Sequence, residues 1–113
     1  MINWGILGLG RMGRAFANAI EETDNAMLKG IASKSGKRFK NFENFSYEDL
    51  IQREDIDAIY IATLNNTHID LIKHISKEGK KILCEKPISL SLEDLIETEA
   101  IVNKKSIKFY EAI

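Results

Sequence analysis

Short apolar runs alternate with longer amphipathic segments along this chain. The short runs have the length and the β-branched content of strands. They predict strands at Ile2–Leu7, Met27–Ser33, Ala58–Ala62, Lys81–Cys84 and Ile107–Tyr110. Strands that alternate with helices are typical of βαβ units, so the predicted fold class is α/β, with a doubly wound, mostly parallel sheet and helices on both faces.

The amphipathic segments between these strands predict helices. They lie at Arg11–Glu22, at Ser46–Arg53, at about Thr67–Glu78 and at Ser91–Asn103. The predicted buried faces of the first and third are Ala15, Phe16, Ala19 and Ile20, and Ile69, Ile72 and Ile75. Ser46 followed by Asp49 resembles a capping arrangement, and Gly79 is placed to end the third helix.

Composition narrows the class of partner. The chain has 113 residues, 44% of them hydrophobic and 29% charged, which fits one globular domain. Its 16 basic and 17 acidic residues form no long block of one sign, so neither nucleic acid nor a membrane surface is an expected partner. No leader or membrane-spanning run is apparent, and the one cysteine, Cys84, excludes an intramolecular disulfide, so a cytoplasmic location is expected.

A glycine-rich turn follows the first predicted strand and opens the first predicted helix. It reads Gly8-Leu9-Gly10-Arg11-Met12-Gly13, and in that context it predicts the dinucleotide-binding turn of a Rossmann-type fold. Gly8 allows the tight turn, Gly10 lets the backbone approach a pyrophosphate, and Gly13 allows close packing of helix and strand. A βα turn without a ligand and a methyltransferase stay open as alternatives. A phosphate-loop NTPase is disfavoured because no Gly-Lys-Ser/Thr follows the glycines.

The end of the second predicted strand bears on the choice of cofactor. NAD-selective domains have an acidic residue there, about 20 positions beyond the glycines. Ser33 and Lys34 occupy that place here, and Lys37 and Arg38 follow closely. Because cationic donors suit a 2′-phosphate, the pattern favours NADP(H), with NAD(H) as the alternative, and predicts Ser33, Lys34 and Arg38 as cofactor-binding residues. The competing interpretation is a solvated basic loop.

A second motif, Cys84-Glu85-Lys86-Pro87, ends the fourth predicted strand, and Thr63-Leu64-Asn65-Asn66-Thr67-His68 lies upstream of it. With the glycine turn, this arrangement resembles the glucose-fructose oxidoreductase and inositol dehydrogenase family, Gfo/Idh/MocA, over nearly the whole chain. The resemblance implies that Lys86 is catalytic and that Glu85, Lys86 and Pro87 border the nicotinamide ribose. It also places Thr63, Asn65 and His68 along the cofactor. Leu64 stands where the family usually has proline.

The physical chemistry of these residues is compatible with that resemblance but leaves alternatives. Beside a carbinol that exchanges hydride, an ammonium such as that of Lys86 can hold the oxygen and exchange a proton. A solvated lysine at a strand end is the alternative for Lys86, and a packed or capping histidine is the alternative for His68. Cys84 is interpreted as a small buried strand residue, His74 receives no role, and no metal site is expected.

The family resemblance carries wider expectations. It implies an oxidoreductase that transfers hydride to or from a sugar, polyol or related carbinol. It also implies a second α/β domain, absent from residues 1–113, that supplies the substrate pocket and the interface of a homo-oligomer. The alternative is a stand-alone dinucleotide-binding sensor or regulatory module without turnover.

Overall fold

β-Strands and α-helices alternate along the chain, as the pattern of apolar runs predicts. The computed structural model describes residues 1–34, 36, 38–63, 68–85 and 109–112, and of residues 68, 69, 85 and 109–112 it describes the backbone path. In chain order the elements are β1 (Ile2–Leu7), α1 (Arg11–Glu21), β2 (Ala26–Ala32), β3 (Asn44–Phe45), α2 (Tyr47–Gln52), β4 (Ala58–Ile61), α3 (His68–Lys77), β5 (Lys81–Glu85) and β6 (Phe109–Ala112).

The described strands form a six-stranded sheet in the order β3-β2-β1-β4-β5-β6. Every pairing between them is parallel. The chain moves outward from β1 to β3 and then returns to the other side of β1 with β4. The order of the strands therefore reverses between β1 and β4, and in sheets of this kind ligands bind at the carboxyl ends of the strands at that reversal.

Side chains of the central strands alternate between two buried clusters, one on each face of the sheet. One cluster joins the strand residues Leu7, Ala32, Ile59, Ile61, Ile82 and Cys84 to residues of α2 and α3. The opposite cluster joins Ile6, Ile31 and Tyr60 to Ala17 and Ile20 of α1. Helices thus cover both faces, which confirms the predicted doubly wound α/β fold.

The ends of most described elements differ from the sequence-based prediction by one or two residues, and two features differ more. β3 was not predicted, because a strand of two residues is too short to produce a hydrophobic alternation. The buried residues of α1 are Gly13, Ala17 and Ile20, whereas Ala15 and Ala19 are exposed, so the predicted apolar face was partly wrong. β6 covers Phe109–Ala112, and residues 107 and 108 of the predicted strand lie outside the described residues.

Other details of the prediction are confirmed. Ser46 caps α2, and its hydroxyl accepts a hydrogen bond from the Asp49 N–H at 3.1 Å. Cys84 is buried, and so are Ile72 and Ile75 on the predicted inner face of α3. The predicted helix Ser91–Asn103 lies outside the described residues. In the described part of the chain, no helix has the length and apolar character that a membrane span requires.

Candidate functional site

The strand ends that carry the candidate residues lie in one row. The parallel register aligns Leu7 with Ala32 on one side and with Ile61 on the other, and it aligns Ile61 with Cys84. The residues that follow these positions are Gly8, Ser33, Ala62 and Glu85. The carboxyl ends of four neighbouring strands therefore meet at one edge of the sheet, as the sequence predicts.

Gly8 makes the sharp turn that leads from β1 to α1. Its φ is +93°, a conformation that L-amino acids with a side chain rarely adopt. A Cβ at this position would also lie 2.7 Å from the carbonyl oxygen of Ala62, which follows β4. The N–H of Gly8 donates to the carbonyl of Ala32 at 2.8 Å, and the N–H of Ala62 donates to the carbonyl of Leu7 at 2.8 Å. The turn is thereby joined to the ends of both neighbouring strands.

Gly10 and Gly13 have opposite surroundings. A Cβ at Gly13 would lie 2.2 Å from the carbonyl oxygen of Gly8, so only glycine permits this approach of α1 to β1. A Cβ at Gly10 would meet no atom within 4 Å, and Gly10 has an ordinary extended backbone. The protein itself thus does not require glycine at position 10. The open space above Gly10 is where a ligand could approach the backbone.

The first turn of α1 adds the electrostatic character of the site. Gly10 is the N-cap residue, no side chain caps the helix, and the first turn contains no acidic residue. The leading N–H groups of an α-helix have no intrahelical partner and carry partial positive charge, so they attract an anion. Leu9 is buried and anchors the turn, whereas Arg11 and Met12 are exposed beside it.

The loop that follows β2 is fastened at both ends. Gly36, with a φ of +77°, donates its N–H to the carbonyl of Ser33 at 3.1 Å. Phe39 is buried in the cluster that contains α1. Between these anchors Lys34 and Arg38 are both exposed. The loop anchored at Ser33 and Phe39 therefore carries two exposed cations at the position predicted for the adenosine ribose. Lys37 lies outside the described residues.

The remaining predicted site residues are only partly described. Thr63 directly follows the end of β4, and its methyl carbon would lie 3.1 Å from a Cβ at Gly8, so it borders the glycine turn. His68 is the first residue of α3, and Glu85 is the last residue of β5. The predicted residues Asn65, Lys86 and Pro87 lie outside the described residues. In the described ranges, no group of three His, Cys, Asp or Glu side chains could hold a metal ion.

Two residues of the site region were missed by the sequence analysis. Asn44 bonds to the backbone of Ser33 through both ends of its carboxamide, and Tyr47 lies under the ammonium of Lys34. Burial raises the pKa of Tyr47 above its ordinary value of 10.0, so its ring stays uncharged at neutral pH. No motif indicates either contact, because both depend on the pairing of β3 with β2.

Comparison with known proteins decides the family. The family model that describes the Gfo/Idh/MocA oxidoreductases, with an NAD-binding Rossmann fold, matches residues 2–112. The chain belongs to this family. The predicted resemblance and the predicted Rossmann fold are both confirmed, and the Gfo/Idh/MocA assignment identifies the row of strand ends as part of an NAD-binding fold.

Two similar proteins show how the chain relates to longer oxidoreductases. An uncharacterized oxidoreductase, YrbE of Bacillus subtilis, is 32% identical over 111 residues, which cover 91% of this chain and 33% of that protein. The myo-inositol 2-dehydrogenase of Thermotoga maritima is 32% identical over 99 residues, which cover 80% of this chain and 30% of that protein. The chain spans about a third of the length of such relatives.

A similar solved structure contains ligands. The scyllo-inositol dehydrogenase of Lactobacillus casei, with bound NAD(H) and scyllo-inositol, superposes with a TM-score of 0.87 at 29% identity. The superposition covers 99% of this chain and 36% of that one. The similarity to whole oxidoreductases favours the enzymatic interpretation of the sequence over the stand-alone sensor.

Proposed function

We propose that the chain is the cofactor-binding domain of an oxidoreductase that transfers hydride at a CH–OH group of an inositol or a related polyol. The observation that carries the proposal is the open space at Gly10 at the point where the strand order reverses. Gly8 and Gly13 are required by the fold, since a Cβ at either would strike backbone. Gly10 is not, so a ligand that needs close backbone approach explains it.

The residues around this space fit a dinucleotide. The uncapped start of α1 offers N–H groups and partial positive charge to a pyrophosphate. Thr63 and the backbone of Glu85 extend the row of strand ends to the side where the nicotinamide half would lie. When bound, the nicotinamide supplies the hydride donor or acceptor.

We further propose that NADP(H) is preferred to NAD(H). Ser33 and Lys34 stand where an acidic residue would bond to the ribose hydroxyls of NAD. Lys34 and Arg38 are exposed on a loop that is fastened at Ser33 and Phe39. A loop whose backbone is already held at both ends loses less freedom when its cations bind a phosphate, which favours the 2′-phosphate of NADP(H).

Calorimetric titration of the chain with NADP⁺ and with NAD⁺ tests the choice of cofactor. Lys34→Ala should weaken NADP⁺ binding by about 1–3 kcal/mol, through loss of a charge-assisted hydrogen bond, and should leave NAD⁺ binding unchanged. Lys77→Ala is the control, because Lys77 is an exposed lysine in the last turn of α3, at the opposite edge of the sheet. Equal affinity of the wild-type chain for both cofactors would refute the preference.

The substrate class and the catalytic residue rest on the family. Relatives include the inositol dehydrogenases named above, so a polyol carbinol is the proposed substrate. Lys86, directly after β5, is the proposed catalytic residue, whose ammonium holds the carbinol oxygen and exchanges its proton. Because relatives are about three times as long, we propose that a further domain completes the substrate pocket.

Activity is tested on the full-length product of the gene, by the absorbance of the reduced nicotinamide, over a panel of inositols and sugars. Lys86→Ala should lower kcat by about 10²–10⁴-fold, the usual contribution of a general acid or base. Lys77→Ala again serves as control. Full activity of Lys86→Ala would show that another residue exchanges the proton.

Location and assembly belong to the same proposal. Cys84 is buried and is the single cysteine of the chain, which is compatible with a reducing cytoplasm. A homo-oligomer stays a prediction from the family resemblance, and light scattering of the full-length product would measure it.

A further inference from the structure

Asn44 pairs with the backbone of Ser33 through both ends of its side chain. Its Oδ1 accepts from the Ser33 N–H at 2.8 Å, and its Nδ2 donates to the Ser33 carbonyl at 3.0 Å. The backbone of Asn44 is paired with Ile31 of β2, so the side chain continues the ladder past the end of that strand. The same Ser33 carbonyl accepts the N–H of Gly36. Asn44 therefore holds Ser33, the first residue of the loop that carries Lys34 and Arg38.

Tyr47 supports the next residue of that loop. The Nζ of Lys34 lies 5.2 Å from the centroid of the Tyr47 ring, within the range of a cation–π contact. Tyr47 is the first residue of α2, packs against the core and follows the Ser46 cap, so its ring has a fixed position. Lys34 itself is exposed. Its ammonium is thus held over a neutral ring while it stays open to solvent.

Asn44 and Tyr47 belong to one short segment that runs from β3 into α2. We propose that Asn44 and Tyr47 are positioning residues that determine the choice between NADP(H) and NAD(H), Asn44 by fixing Ser33 and Tyr47 by holding Lys34 where a 2′-phosphate binds. This inference rests on the proposed dinucleotide site and extends it to two residues outside the glycine turn.

The physical reason is preorganisation. A lysine side chain has several rotatable bonds, and binding a phosphate immobilises them. A ring that already holds the ammonium, on a loop whose first peptide is fixed, removes part of that cost for NADP(H). NAD(H) has a hydroxyl in place of the phosphate and gains little from an ordered cation. Loss of either support should therefore change the ratio of the two affinities rather than both affinities equally.

The test is a set of calorimetric titrations of the 113-residue chain with NADP⁺, NAD⁺ and adenosine 2′,5′-bisphosphate. Tyr47→Leu removes the ring but keeps an apolar side chain, and we expect roughly two- to fivefold weaker binding of NADP⁺ and of the bisphosphate, with NAD⁺ unchanged. Tyr47→Phe keeps the ring and should bind like the wild type. Asn44→Ala should also lower the affinity for NADP⁺ relative to that for NAD⁺, because the loop that begins at Ser33 loses its anchor.

A double-mutant cycle separates positioning from a general structural role. If Tyr47 acts through Lys34, Tyr47→Leu will have no further effect on the ratio in a Lys34→Ala background. Circular dichroism establishes whether each variant is folded. If Asn44→Ala does not fold, the comparison of Tyr47→Leu with Tyr47→Phe decides the test. Equal weakening of both cofactors by folded variants, or an undiminished effect of Tyr47→Leu without Lys34, would overturn the inference. Failure of the wild-type chain to bind either dinucleotide would instead refute the proposed function.

Discussion

The carbonyl oxygen of Gly8 lies where a side chain of residue 13 would begin, 2.2 Å from the position of a Gly13 Cβ. The close approach of the Gly8 carbonyl to Gly13 brings the start of α1 against the end of β1. It also directs the first turn of the helix towards the row of strand ends. The requirement for glycine at position 13 is therefore a property of the fold, independent of any ligand.

Gly13→Ala should destabilise the chain. The new methyl group would strike backbone that cannot move without displacing α1, and overpacking of this kind costs about 1–3 kcal/mol. Urea unfolding measures the loss. Gly10→Ala is the matched control in the same turn, where a Cβ meets nothing within 4 Å. A similar stability of both variants would contradict the proposed close approach.

Gly10→Val should have the reverse effect. Gly10 has φ −84° and ψ −158°, which other residues adopt, so the variant should keep a native circular dichroism spectrum. The branched side chain would fill the space through which a pyrophosphate reaches the backbone, and calorimetry should detect no dinucleotide binding. Undiminished binding by this variant would remove the glycine turn from the site.

The sequence alone predicts the features of this domain that depend on local patterns. Alternation of apolar runs with amphipathic segments predicts the described strands and helices other than β3 within a few residues, and parallel strands necessarily bring Gly8, Ser33 and Glu85 to one edge. The different tasks of Gly8 and Gly13 also follow from their places in the turn. These predictions succeed because neighbouring residues determine them.

Features that depend on contacts between distant residues were not predictable. Strand β3 exists because Asn44 and Phe45 pair with β2, although two residues give no periodic signal. Asn44 reaches Ser33 across 11 positions of sequence, and Lys80 reaches Arg53 across 27. The inner face of α1 was partly misassigned, because alanines suit either face of a helix and the sheet decides which one is buried.

Lys80 provides a test of one such distant contact. Lys80 is buried, and its Nζ donates to the carbonyls of Arg53 at 2.6 Å and Ile56 at 2.9 Å, beyond the end of α2. Lys80→Met keeps the length of the side chain but removes both bonds, and we expect a loss of about 2–3 kcal/mol in the free energy of unfolding. Lys77→Met, at an exposed position, should have little effect. Equal stability of the two variants would show that the buried ammonium contributes nothing.

Arg53 itself holds a carboxylate, and this pair predicts a dependence on pH. Its Nε donates to Asp55 Oδ1 at 2.9 Å and its Nη2 to Oδ2 at 2.6 Å, and these hydrogen bonds lower the pKa of Asp55 below the ordinary 3.8. Because the folded state favours the ionised carboxylate, the pair stabilises the fold above the ordinary pKa. That contribution is lost as the pH falls through the lowered pKa. It should be small, since both side chains are partly exposed.

The direct measurement is an NMR titration of the Asp55 carboxyl carbon between neutral and acidic pH. In the wild type its pKa should lie below 3.8, and Arg53→Gln should raise it towards that value. Lys29→Gln is the control, because Lys29 acts on Asp55 only through a weaker electrostatic effect and should raise the pKa less. Stability alone would not isolate the pair, since the Arg53 guanidinium also lies 4.8 Å from the Phe45 ring centroid. An Asp55 pKa that is the same in the wild type and in Arg53→Gln would mean that the two hydrogen bonds do not persist in solution.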